Sequence, residues 1–229
     1  MRRILITVLT VIIGTSLLFG QTTMSTALRS ATYEGSLSGY GVIPATDPYL
    51  GTVTVNDGLP ENMVDWVLVE LRATSNGATI AQAVGCLLND GSVTDTTGLS
   101  GLTFEGLESN TPYYVIVRHR NHLAVMSAEG VLIDDTNTGY DVDLTGGNVY
   151  GGASLAMKQV GTEYAMTAGD ADSNNFIQTT DKNAVWNLQT GMSGYRESDF
   201  DLNGFVQTTD KNNYYVKNVG KASQIPSQN

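Results

Sequence analysis

The feature that most constrains this chain is a repeat near its C-terminus. Residues 169–183 read Gly-Asp-Ala-Asp-Ser-Asn-Asn-Phe-Ile-Gln-Thr-Thr-Asp-Lys-Asn. They recur at 198–212 as Ser-Asp-Phe-Asp-Leu-Asn-Gly-Phe-Val-Gln-Thr-Thr-Asp-Lys-Asn, an offset of 29 residues from Asp170 to Asp199. Each copy puts side-chain oxygens at loop positions 1, 3, 5 and 12. These are Asp170, Asp172, Asn174 and Asp181 in loop 1, and Asp199, Asp201, Asn203 and Asp210 in loop 2. That is the spacing of a calcium loop.

The chemistry explains the spacing. Calcium is a hard cation that takes 6–8 oxygens at about 2.3–2.6 Å. Alternate residues let a tight loop aim three side chains inward. Position 7 offers a backbone carbonyl, here Phe176 and Phe205, and position 9, here Gln178 and Gln207, often acts through water. Position 12 returns a carboxylate from the start of the following helix. Position 6 needs a sharp turn with positive φ, which Gly204 supplies freely and Asn175 tolerates. Position 8 is Ile177 or Val206, expected to meet between the loops as a short two-stranded contact. Two calcium ions are expected. Position 12 is Asp rather than Glu, and Met166-Thr-Ala-Gly169 is too short to be an entering helix, so an ordinary EF-hand is disfavoured.

The region before the repeat has a different rhythm. Runs dense in β-branched and aromatic residues lie at Thr52–Val55, Met63–Leu71, Thr79–Leu88, Leu102–Phe104, Tyr113–Arg118, Leu123–Met126, Val131–Ile133 and Tyr140–Leu144. Turn formers separate them, including Asn56-Asp-Gly-Leu-Pro60, Asn89-Asp-Gly91, Ser109-Asn-Thr-Pro112 and Thr145-Gly-Gly-Asn148. Short strands at regular spacing predict an antiparallel β-sandwich. Its bounds are placed at 51–148, after a loose lead-in over 21–50 and before a linker over 149–168. The repeat module then covers 169–220, and 221–229 reads as a disordered tail.

The N-terminus reads as removable. Met1-Arg2-Arg3 is basic, and Ile4 to Gly20 carries no charge. A basic start before such a run is the pattern of a secretory signal peptide over 1–20. An uncleaved anchor is the alternative, since the run is borderline for a span of about 20 residues. Cleavage falls after Gly20 or near Ala27. No later stretch is long and apolar enough to span a bilayer. The net charge is −11, and loss of Arg2 and Arg3 leaves it at −13. So acidic a chain is a poor partner for nucleic acid and suits an extracellular protein that collects cations. Cys86 is the only cysteine, which excludes an internal disulfide. It either pairs between chains or is buried as a small hydrophobe.

The duplicated loop-then-helix, with Asp at position 12, resembles the dockerin modules of secreted bacterial and archaeal proteins over Gly169 to about Val219. That resemblance implies the calcium ligands named above. It also implies a Ser/Thr pair at positions 10 and 11, here Thr179-Thr180 and Thr208-Thr209, facing a cohesin-like partner. The chain departs from the family after position 12, where Lys182–Leu188 and Lys211–Val216 replace a leucine-rich helix with a Lys/Arg pair. Upstream, Phe104-Glu-Gly-Leu107 followed by Tyr113-Tyr-Val-Ile-Val117 resembles prealbumin-like or Cna-B-like modules. Residues 64–72 and 118–127 resemble a domain of haemagglutinin-like bacterial surface proteins. The fold expected is an all-β sandwich, immunoglobulin-like or prealbumin-like, followed by a small α-helical dockerin-like module.

Other candidates carry less. His119 and His122 could bind a transition metal, but a turn position favours a solvated or packing role. Trp66 and Trp186 read as core anchors. Tyr113, Tyr114 and Tyr150 could stack on a sugar, though strand aromatics usually pack. Asp141 and Asp143 share one strand face and read as solvated. No nucleophile elbow, zinc-protease helix, phosphate loop or dinucleotide turn is present. The sequence therefore points to a secreted, non-enzymatic protein attached to a partner protein or cell surface, within polysaccharide-degrading assemblies. An adhesin or glycan-binding protein with purely structural calcium is the alternative. A small hydrolase accessory to polysaccharide breakdown is a third.

Overall fold

A computed structural model describes residues 3–10, 24–31, 41–133, 139–144, 148–160 and 163–228. The chain is mostly β-sheet with a few short helices. Nine strands belong to one sheet: β1 (Arg3–Thr10), β2 (Met63–Arg72), β3 (Thr79–Leu88), β4 (Val93–Thr94), β5 (Leu102–Glu105), β6 (Thr111–His119), β7 (His122–Met126), β8 (Val131–Ile133) and β9 (Gly139–Asp143). The main path runs β5-β1-β4-β3-β2-β6-β7, with β8 paired to β6 and β9 to β1. β8 and β9 also approach one another, so the two branches fold back over a shared core. This is compatible with a β-sandwich, although the pairing is continuous where two separate sheets were expected.

The apolar runs became strands for the reason their pattern gives. All ten residues of β2 are buried: β3 and β6 pair with its two edges, and side chains pointing to both faces are covered. Strands covered on both faces lose the alternation of a half-exposed strand. Trp66 is the largest fully buried side chain, and its Nε1 donates to the Pro44 carbonyl at 2.9 Å. β5 keeps the alternating pattern, with Leu102 and Phe104 inside. Cys86 is free and buried in the core, and burial pushes its thiol up to about 12.

Several boundaries move. The lead-in is not loose where described: Met24, Leu28 of helix α1 (Ala27–Ser30), Val42 and Ile43 all enter the main core. The expected linker contains helix α2 (Ala153–Ala156) and a hairpin of β10 (Lys158–Val160) and β11 (Glu163–Ala165). Ala156, Met157, Ala165 and Met166 join the same core. The expected disordered tail packs back as well. Ser223 Oγ donates to the Ala124 carbonyl at 2.8 Å, and Arg72 Nη1 donates to the Pro226 carbonyl at 3.2 Å. Each of these segments covers sheet surface that would otherwise be exposed.

β1 comes from the stretch read as a signal peptide. It pairs antiparallel with β5 and β4 and parallel with β9, and Ile6 is buried in the core. The expected cleavage at Gly20 and the turn at 145–147 lie outside the described residues. Among the described residues, no helix is long and apolar enough to cross a membrane.

Candidate metal centre

Each repeat folds as a loop followed by a short helix. Helix α3 comprises a π-helical stretch (Asp181–Trp186) and an α-helical turn (Asn187–Gln189). Helix α4 repeats this with Asp210–Tyr215 and Val216–Asn218. The position-6 expectation holds: Asn175 has φ 70° and Gly204 φ 86°. Position 4 is also left-handed in both copies, at Ser173 and Leu202, which the sequence did not signal.

In loop 1, the Asp170 carboxylate accepts the amides of Asn174 and Asn175, both at 3.0 Å. Asp181 accepts from Asp172 at 3.2 Å and from Gln178 at 2.7 Å. Asn174 Oδ1 accepts from Phe176 N at 2.9 Å. Loop 2 repeats the scheme. Asp199 accepts from Asn203 and Gly204, Asp210 from Asp201 and Gln207, and Asn203 Oδ1 from Phe205 N. These bonds fix each carboxylate while leaving lone pairs for a cation.

Oxygens of Asp170, Asp172 and Asp181 lie within 4.8 Å of one another, as do those of Asp199, Asp201 and Asp210. Asp170, Asp181, Asp199 and Asp210 are buried. Burial, with the neighbouring carboxylates adding to it, pushes Asp170 up to about 7. Burial likewise lifts Asp199 to about 7 against the pull of Arg120, and Asp210 to about 6. In each loop the buried carboxylates, Asp170 and Asp181 or Asp199 and Asp210, are raised by burial, and such a gathered set is in want of a cation. An all-oxygen donor set suits a hard ion such as calcium.

The loop–loop contact expected at Ile177 and Val206 is corrected. Their side chains do share one small core with Leu123, Ala168, Ala171, Trp186, Phe200 and Tyr215. Their backbones pair elsewhere. Ile177 exchanges bonds with Lys221 and Gly220, beyond α4, while Val206 exchanges them with Met192 and Gly191, beyond α3. Each loop is thus stitched to the segment that follows the other loop's helix. These bonds flank Phe176 and Phe205.

The β6–β7 turn is wedged against both loops. His119, Arg120, Asn121 and His122 are all buried, so of the two roles expected for the histidines the solvated one is excluded and the packing one fits. Asn121 Nδ2 donates to the Asp199 carbonyl at 2.8 Å, and Ser173 Oγ donates to the Arg120 carbonyl at 2.9 Å. Since Asn121 Nδ2 is so committed, its Oδ1 accepts from His122 Nδ1 at 2.7 Å. Asp65 is held at about 2: burial alone would raise it, but the Arg120 charge and the His119 hydrogen bond prevail. His119 Nε2 therefore donates to Asp65, at 3.0 Å. Burial lowers both histidines, leaving them neutral.

The remaining residues divide simply. Thr179, Thr180, Thr208 and Thr209 are exposed, and Thr180 Oγ1 donates to Asp172 Oδ2 at 2.6 Å. Gln178 and Gln207 are also exposed. Tyr113 is buried and accepts from Glu108 N through its hydroxyl, so it packs rather than stacks on a ligand. Trp66 and Trp186 are core residues, as expected. Sequence reasoning missed the role of Asp65, Arg120 and Tyr195. A carboxylate directly before Trp66 in a mostly apolar strand run was the available signal for Asp65.

No family model matches the chain, and no curated protein matches it. Among solved structures, the chain is distantly similar to one from a type II cohesin–X–dockerin complex of Acetivibrio cellulolyticus, an N-terminal interface mutant. The TM-score is 0.39 at 15% identity, covering 69% of this chain and 82% of that one.

Proposed function

We propose that this is an exported, non-enzymatic calcium-binding protein. Its dockerin-like pair of loop–helix units attaches the β-rich domain to a cohesin-like protein or a cell-surface component, within polysaccharide-degrading assemblies. The observation that carries this reading is the recurrence of one carboxylate and amide scheme in both loops at the 29-residue offset. Each loop would hold one calcium ion through positions 1, 3, 5 and 12, with the position-7 carbonyl and a water at position 9. The bound ion would compensate buried carboxylates that otherwise oppose one another. The exposed threonine pairs at the starts of α3 and α4 support a docking role. So do the exposed rings of Phe176 and Phe205, at 55% and 41%.

Binding of the calcium-loaded intact chain to a purified cohesin-type domain tests the docking. Alanine at Thr179, Thr180, Thr208 and Thr209 together is expected to abolish binding, with a stability change of at most about 0.5 kcal/mol per exposed site beyond the loss of the Thr180–Asp172 hydrogen bond. Equal binding by both proteins, or by neither, counts against it.

A second reading rests on the wedge. Because Asp199 of loop 2 packs against the protein's own β6–β7 turn, calcium would be structural, with adhesion or glycan binding left to the sheet domain. Glycan binding by the intact chain that survives the four-threonine variant would favour this reading.

A further inference from the structure

We infer that the two loops are unequal, loop 2 binding calcium more weakly than loop 1, because the β6–β7 turn fixes the Arg120 guanidinium beside the first carboxylate of loop 2 only. This rests on the calcium reading of both loops. Arg120 Nη2 lies 3.9 Å from Asp199 Oδ2. That nitrogen is buried and has no hydrogen-bond partner. The rest of the guanidinium is held fast. Its Nε is 3.0 Å from Asp65 Oδ2, Nη1 donates to the Arg196 carbonyl, and its carbon stands 4.2 Å from the centre of the Tyr195 ring. Tyr195 in turn donates to Asp65 Oδ1 at 2.6 Å.

The cation therefore has no room to swing away when a second cation arrives. Calcium in loop 2 would share Asp199 with a buried positive charge, and like charges a few ångströms apart repel strongly where water is excluded. Loop 1 meets the same turn differently. Its contact is a neutral one, from Ser173 Oγ to the Arg120 carbonyl. Among the described residues, no ion pair reaches Asp170. Arg118, the other cation nearby, is paired with Glu70 at 3.0 Å and donates to Asn175 Oδ1 at 3.3 Å. Position 6 is not a calcium ligand, so that contact leaves the donor set of loop 1 intact.

The repeat hides this difference because both loops carry the same ligand residues at positions 1, 3, 5 and 12. The inequality comes from a residue 79 positions upstream of Asp199, at the tip of a hairpin. It also sets an order of filling: loop 1 first, then loop 2. Arg120 acts as a positioning residue that opposes the second ion while locking the sheet domain onto the loop.

Calorimetric titration of the chelator-stripped full chain with calcium chloride tests this. The expected result is two phases separated by about tenfold or more in affinity. Asp181→Asn removes the tighter phase, and Asp210→Asn removes the weaker one. Because Arg120→Gln alone would strand Asp65 as an unpaired buried charge, it is combined with Asp65→Asn. That double variant is expected to tighten loop 2 about tenfold and to leave loop 1 within about twofold. Equal affinities in the two single-loop variants, a tighter loop 2, or a folded double variant with unchanged loop 2 affinity would each overturn the inference. If the double variant does not fold, the two single-loop variants decide the matter alone. Failure of either loop to bind any calcium would instead remove the calcium reading itself, and this inference with it.

Discussion

Loops 1 and 2 have nearly the same sequence and different neighbours. At position 6 one carries Asn175 and the other Gly204, and the surroundings explain the choice. A Cβ on Gly204 would lie 3.0 Å from Ala31 Cβ, in a backbone conformation of φ 86° that disfavours side chains. Asn175 faces Arg118 and uses its side chain to accept a hydrogen bond. At position 1, Asp170 has no cation partner among the described residues, whereas Asp199 has Arg120. On the calcium reading, the ligand pattern would set what each loop can hold, and the sheet domain would adjust how firmly.

A third loop shows what a carboxylate looks like when it needs no ion. Asp47 accepts five backbone amides, from Tyr49, Leu50, Gly51, Thr52 and Val53. Burial would raise it, but the amides prevail and hold it below the usual carboxylate range. Asp170 has two amides and two neighbouring carboxylates, and it rises instead. At Asp170 burial, with the like charges adding to it, outweighs two amides, whereas at Asp47 the five amides outweigh burial.

The comparison of the calcium loops can be broken most severely by removing both position-12 carboxylates. Asp181→Ala with Asp210→Ala should abolish the rise in melting temperature on adding calcium. At a hundredfold excess over the dissociation constant, each filled site contributes about 2.7 kcal/mol, so the combined loss is about 5 kcal/mol. Thermal melts with and without calcium measure it.

A smaller effect comes from pH. Without calcium, Asp170 and Asp199 sit at about 7 and Asp210 at about 6, above the ordinary 3.8. The folded form then binds more protons than the unfolded form between these limits. Stability associated with these groups is full below about pH 4 and is lost as the pH rises through about 6 to 7. The calcium-free melting temperature should fall by several degrees over that range, at about 2–4 °C per kcal/mol. Saturating calcium should reverse the trend. Asp65 acts in another window: its contribution is present above about 3.8 and lost as the pH falls through about 2.

The smallest effect sharpens the comparison. Asn121→Ala removes the bond to the Asp199 carbonyl and the acceptor for His122 Nδ1. It should cost about 1–3 kcal/mol and weaken calcium binding at loop 2 more than at loop 1. Single-loop variants read by calorimetry separate the two.

Much of this was legible in the sequence. The strands at Thr79–Leu88 and Val131–Ile133 match their apolar runs, because β-branched residues and flanking turns mark them locally. The positive φ at positions 6 followed from Asn and Gly. What was not legible depends on long-range partners. β4 is two residues long and owes its pairing to β1 and β3. The swapped stitching of the loops at Ile177 and Val206 is a property of the folded pair, invisible in either copy. The Arg120–Asp65–Tyr195 cluster joins residues 130 positions apart. Ile4–Thr10 carries two readings at once, since an uncharged run of Ile, Leu, Thr and Val suits an export signal and a strand equally.

If the calcium reading holds, the duplicated loops bind calcium and fold around it. Calcium titration of the intact, chelator-stripped chain, followed together by calorimetry and far-ultraviolet circular dichroism, tests it most directly. Two ions per chain are expected, with helical signal from α3 and α4 gained on binding and lost on chelation. A chain that takes up no calcium, with a spectrum and melting temperature indifferent to chelator, would contradict it.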